Sequence, residues 1–124
     1  MLLDSCSWIE VFEGSVKGEL IMKIIEDKEI YTSAISISEI ANWCRKNSLD
    51  EKFYIRVIEE NSSLLFPTKD ILAISGIINF ERKKLVKNWG MIDSIIYATA
   101  STHSLKIITT DHHFIELDNV EIIE

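Results

Sequence analysis

The chain has 124 residues, 47% of them hydrophobic and 27% charged, a balance that describes one folded domain over residues 1–124 and excludes a disordered chain. Its formal net charge of −7 excludes a basic nucleic-acid coat protein. The same charge leaves room for a local grip on a few phosphates, for a basic partner, or for bound divalent metal.

Taken in order, Leu2-Leu3 predicts a buried strand ending at Asp4, followed by a short helical turn around Trp8–Phe12. Val16, Leu20, Ile21, Ile24 and Ile25 recur at helical spacing up to Asp27, and Ile30–Ile35 reads as a second strand. Ile37, Ile40, Ala41 and Cys44 form an i, i+3, i+4, i+7 stripe, an amphipathic helix that Asn47 and Ser48 end. Phe53, Tyr54, Val57 and Ile58 mark another helix, and Leu64-Leu65-Phe66 a short strand closed by Pro67. Thr68 caps a helix through Ile71, Leu72, Ile74, Ile77 and Ile78 to about Leu85. Beyond Gly90, a helix carries Ile92, Ile95, Ile96 and Thr99 on one face. Lys106–Thr109 is a strand, His112–Leu117 a helical turn and Val120–Ile123 a last strand. Alternating strands and helices predict an α/β fold with a central, mostly parallel sheet between helical layers.

Cys6 and Cys44 have no CxxC spacing, so neither a zinc site nor a disulfide framework is expected. Both are expected in apolar surroundings as free thiols of a reduced, intracellular protein. Met1-Leu2-Leu3 meets Asp4 at once, so no signal core forms there. No apolar stretch approaches the roughly 20 residues of a membrane span. A cytoplasmic, soluble protein is the expectation.

Four acids stand out on this map. Asp4 ends the first strand, Glu39 lies in the first turn after the second, and Asp111 follows the strand Lys106–Thr109. Asp93 lies in the first turn of a helix. Ligand sites of open parallel sheets form at the carboxyl ends of strands. Four carboxylates gathered there would raise one another's pKa, and a divalent cation resolves the conflict; oxygen ligands suit Mg²⁺ or Mn²⁺ better than zinc. Each acid also has a structural explanation. Asp4 can bond backbone amides at a strand end, and Ser36 with Glu39 fits a capping box. Asp93 can complement a helix dipole, and Asp111 can cap the turn at His112. Only their joint occurrence at one edge points to chemistry.

The surrounding residues resemble the motifs of PIN domains, especially VapC-type toxins. Leu2-Leu3-Asp4-Ser5-Cys6-Ser7-Trp8-Ile9-Glu10 is similar to the opening motif, and Ser36-Ile37-Ser38-Glu39-Ile40 to the second. The strongest match is Gly90-Met91-Ile92-Asp93-Ser94-Ile95-Ile96-Tyr97-Ala98-Thr99-Ala100, and Ile107-Ile108-Thr109-Thr110-Asp111-His112-His113-Phe114 resembles the fourth. The order is kept and nearly the whole chain is spanned; Cys6 is a mild departure, and Asn47 to Val86 carries no motif. The resemblance implies a three-layer α/β/α PIN-like fold. It also implies metal-dependent hydrolysis of RNA, leaving a 5′-phosphate and a 3′-hydroxyl. Asp4 and Asp93 are then the leading metal ligands. Glu39 and Asp111 bind metal directly or through water, or orient the attacking water. Ser5 and Thr109 orient the carboxylates. A homodimer held by a VapB-like antitoxin is implied too, with Trp8, Phe12, Leu20 and Trp43 as either groove or core.

Other features read as structural. His112-His113 is expected to be a solvated turn, Trp8 and Trp43 core or interface, and Arg82-Lys83-Lys84 with Lys87 a solvated helix end. Two further functions compete: a housekeeping RNA-processing nuclease on the same fold, and a non-catalytic interaction module, which would be marked by loss of an acid. A phosphoacceptor receiver domain also carries acids at strand ends, but the Asp93 motif lies in a predicted helix.

Overall fold

The computed structural model describes residues 1–124. Five strands, β1 (Leu2–Leu3), β2 (Tyr31–Ser33), β3 (Ser63–Leu65), β4 (Ile107–Thr109) and β5 (Val120–Ile122), form one sheet in the order β3-β2-β1-β4-β5. Every pairing is parallel. Six α-helices connect them: α1 (Ser5–Glu13), α2 (Val16–Ile25), α3 (Ser36–Lys46), α4 (Glu51–Asn61), α5 (Lys69–Lys83) and α6 (Met91–Thr102), with a 3₁₀ turn at His112–Phe114.

The period of two along the strands builds the layers. Leu3 and Ile108 project into one core with Trp8, Ile21, Ile40, Cys44 and Ile58, drawn from α1 to α4. Leu2 and Ile107 project into another, with Trp89, Ile96, Ala100 and Phe114. A core on each face makes a three-layer α/β/α fold. Connectivity explains which helices go where. From β1 the chain steps outward to β2 and β3, then returns to β4 on the other side of β1. Right-handed crossovers put helices of outward and returning steps on opposite faces. The direction reverses between β1 and β4, and the carboxyl ends at such a switch point, here next to Asp4 and Asp111, are where open parallel sheets bind ligands.

Sequence expectations and structure differ at element ends. The turn expected around Trp8–Phe12 is a full helix from Ser5, because Asp4 caps it by accepting the Ser7 amide and Gly14 closes it in the left-handed conformation at φ 65°. The strand expected over Ile30–Ile35 is confined to Tyr31–Ser33, since α3 starts at Ser36. Thr68 does cap α5, through the Ile71 amide. Gly18 permits α2 to press on α1: a Cβ there would lie 2.1 Å from the Glu10 carbonyl oxygen.

Candidate active site

Asp4 leaves the end of β1 and is 3% exposed. Its Oδ1 accepts the Ser7 amide at 2.9 Å, and its Oδ2 accepts the hydroxyl of Thr109 at the end of β4. Thr109 Oγ1 in turn accepts the Asp111 amide at 3.0 Å, so one hydroxyl fixes two of the four acids. Ser7 Oγ donates to the Ile108 carbonyl at 2.6 Å and ties the start of α1 to β4.

Glu39 is reached from the same side. Ser5 Oγ donates to its Oε1 at 2.6 Å. The capping-box alternative is displaced: the N-cap of α3 is Ile35 and no side chain caps it. Ser36 is already inside the helix, buried, and its hydroxyl makes no hydrogen bond.

Asp93 Oδ2 accepts the amide of Gly90, the residue preceding α6, at 3.1 Å. Asp111 Oδ1 accepts the His113 amide at 2.8 Å, and His113 Nδ1 lies 3.0 Å from the same oxygen. Both acids therefore do serve their helix starts, yet they also meet. One donor atom each from Asp93, Asp111 and His113 lie within 4.8 Å of one another.

The electrostatics follow from this crowding. Burial raises Asp4 to about 7, against the hydrogen bonds from Thr109 and Ser7, and Asp111 repels it further. Burial raises Asp93 to about 6, with Asp111 and Glu39 adding to the rise and the Gly90 amide and His113 opposing it. The Cys6 thiol is pushed up by burial and then by Asp4, Asp111, Glu39 and Asp93 in turn. It thus borders the acids, a correction to the apolar surroundings expected for it, which only Cys44 has. Both thiols are free. No lysine or arginine pairs with any of the four acids; the Lys and Arg ion pairs are Arg45–Glu51, Lys84–Glu81 and Lys106–Glu121.

His113, Ser7 and Arg82 join the site's framework without having been singled out for it in the sequence. Ser7 carried no signal of its own, since Asp4 accepts its backbone amide and its hydroxyl meets a carbonyl 101 residues away in sequence. Of the expected solvated turn, His112 is exposed, whereas His113 has its ring beside Asp111, and the following Phe114 is buried and packs edge-on against Trp89 with ring centroids 5.1 Å apart. Arg82 is no solvated helix end: it donates to the His113 and Ile115 carbonyls at 2.8 and 2.6 Å and stacks on Trp89. Trp8 and Trp89 are buried, so neither is free to stack on a base. An apolar cleft lined by Trp8, Val11, Met22, Ile25, Ile30 and Val57 is remote from this chemistry, near the residues entering β2 and β3.

The model of the PIN domain family matches residues 1–120. The chain belongs to the PIN-domain family. Solved structures bear out the fold. A chain of a toxin–antitoxin complex from Klebsiella pneumoniae aligns with a TM-score of 0.81 at 22% identity, covering 99% of this chain and 97% of that one. Mycobacterium tuberculosis VapC20, a sarcin–ricin-loop-cleaving toxin, aligns at 0.79 and 11% identity over 99% and 98%. VapBC2 from Rickettsia felis, bound to a promoter DNA fragment, aligns at 0.76 and 12% identity over 99% and 98%. No curated protein matches the sequence significantly. No helix of this PIN domain is long and apolar enough to cross a membrane.

Proposed function

We propose that this single PIN domain is a metal-dependent endoribonuclease of the VapC type, the toxin of a VapBC-type pair acting in the cytoplasm. What supports the reading is a chain of contacts at the carboxyl ends of β1 and β4: one Thr109 hydroxyl joins Asp4 and Asp111, Ser5 beside Asp4 holds Glu39, and Asp93 comes within 4.8 Å of Asp111, with no lysine or arginine paired to any of them. Two of these acids have their pKa raised to about 7 and about 6, which is the electrostatic deficit a cation removes. The donors suit Mg²⁺ or Mn²⁺, with Asp4 and Asp93 as principal ligands and Glu39 and Asp111 completing the set.

When bound, the ion supplies positive charge for the phosphoryl oxygens and acidifies the attacking water. The chain's own groups do the rest. Ser5 holds one oxygen of Glu39, and the other makes no hydrogen bond within the protein, so it is available to take a proton from that water. Thr109 and Ser7 fix both oxygens of Asp4. Water attacks phosphorus as it gives up a proton to Glu39, the bond to the 3′-oxygen breaks, and that oxygen takes up a proton from solvent, so the products carry a 5′-phosphate and a 3′-hydroxyl.

Partners follow from the same surface. The acidic crevice suits a basic residue of a VapB-like antitoxin, and the toxin–antitoxin complexes among the structural neighbours support such a partner. Trp8 is core and unavailable to it, while Phe12 and Trp43 are half-buried in an aromatic cluster with Tyr54. Phe66, Ile77 and Phe80, on and beside α5, are exposed apolar side chains that a homodimer interface would cover.

Growth of cells expressing the protein tests the toxin reading against a housekeeping nuclease. Expression is expected to arrest growth, and co-expression of an adjacent antitoxin frame to restore it. Unimpaired growth with active enzyme in the cell would favour the housekeeping role.

A further inference from the structure

His113 lies outside the four-carboxylate set, yet it shares a donor cluster with two of its members. We propose that His113 is a nitrogen ligand of the cation site, forming with Asp93 and Asp111 a mixed imidazole–carboxylate triad that favours Mn²⁺ over Mg²⁺. This rests on the metal-site reading above.

The geometry carries the assignment. Donor atoms of the three side chains lie within 4.8 Å of one another, close enough for one ion to meet all three. The ring lies beside Asp111, with Nδ1 3.0 Å from Oδ1, and the backbone that carries it is held in place. The His113 amide bonds Asp111 Oδ1 at 2.8 Å, and its own carbonyl accepts from Arg82 at 2.8 Å. The next residue, Phe114, is anchored in the core against Trp89. A side chain attached to backbone fixed on both sides loses little further freedom on binding. His112 shows the contrast: it is mostly exposed and sits 3.7 Å from Glu124.

Chemistry then gives the selectivity. Mg²⁺ takes hard oxygen ligands in strict octahedral geometry and keeps its waters. Imidazole suits transition ions, whose affinity for nitrogen exceeds that of Mg²⁺. A carboxylate-only crevice would discriminate far less between the two.

Pulsed electron paramagnetic resonance of the full chain loaded with Mn²⁺ reads the ligand directly, alongside calorimetric titration with Mn²⁺ and with Mg²⁺. His113→Ala keeps every backbone contact, and His113→Gln offers an oxygen in place of the nitrogen; circular dichroism checks that both fold. The wild type is expected to show a directly coordinated nitrogen. Both variants should lose it, with Mn²⁺ affinity falling about tenfold or more and Mg²⁺ affinity nearly unchanged. An oxygen-only Mn²⁺ spectrum in the wild type, or unchanged Mn²⁺ affinity in His113→Ala, overturns the assignment. Asp93→Asn separates this from the underlying reading. If it abolishes Mn²⁺ binding while His113→Ala does not, the acid site stands and the nitrogen ligand falls. If Mn²⁺ binds Asp93→Asn as tightly as wild type, the acid site itself is wrong.

Discussion

Asp4→Asn is expected to lose more than about a hundredfold in RNA cleavage and yet to melt at a higher temperature than the wild type in EDTA at pH 8. Asp4 is almost wholly buried, and burial moves its pKa from 3.8 to about 7. In the unfolded chain it ionises near its ordinary value, so between these two values the folded state holds the extra proton. Stability therefore falls as pH rises through that window, and the full penalty persists above pH 7. The displacement corresponds to on the order of 4 kcal/mol at about 1.4 kcal/mol per unit. Asn keeps an oxygen for the Ser7 amide, gives up the oxygen that accepts the Thr109 hydroxyl, and removes the charge, which is the larger effect at pH 8. Melting curves from pH 4 to 8 check this. In EDTA the wild type should lose on the order of 10 °C or more relative to the variant across the window, and Mg²⁺ should restore the wild type alone. A variant that melts lower than wild type at pH 8 without metal contradicts the account.

Arg82→Ala is expected to lower the melting temperature by on the order of 10 °C and to weaken cleavage as well. One guanidinium nitrogen serves two carbonyls, those of His113 and Ile115, and the guanidinium carbon lies over the Trp89 ring, 5.0 Å from its centroid. Charged hydrogen bonds of this kind contribute about 1.5–3 kcal/mol, and the stacking about 1 kcal/mol more. The clamp joins the end of α5 to the loop before Asp93 and to the turn after Asp111, so its loss loosens two acids at once. Arg82→Lys should rescue only in part, because one ammonium nitrogen can meet both carbonyls but the guanidinium over Trp89 is lost. Calorimetry with a parallel cleavage assay measures both effects. A shift within one or two degrees would reduce Arg82 to a surface residue.

The layers and most elements were legible in the sequence because apolar periodicity reports burial directly. The stripe through Ile37, Ile40 and Cys44 is α3 and feeds one core. Strand order was not legible: two-residue β1 carries no mark of its neighbours, and only the return of the chain to β4 brings Asp111 beside Asp4. The four acids could be picked out by their places after strands and at a helix start. The competing explanations could not be separated there, and they resolved differently. Asp93 and Asp111 serve their helix starts as well as the crevice, whereas Glu39 is claimed by Ser5 and caps nothing. His113 and Arg82 were illegible for a common reason. A His-His pair and an Arg-Lys-Lys run look solvated until Trp89 and Phe114 are seen to pack between them.

Cleavage of structured RNA by purified, antitoxin-free protein, with wild type set beside folded Asp93→Asn, tests the central claim most directly. Cleavage by the wild type with Mg²⁺ or Mn²⁺, abolished by EDTA and absent in Asp93→Asn, is the predicted result. Equal cleavage by the two proteins, or cleavage that survives EDTA, would contradict a metal nuclease built on these four acids.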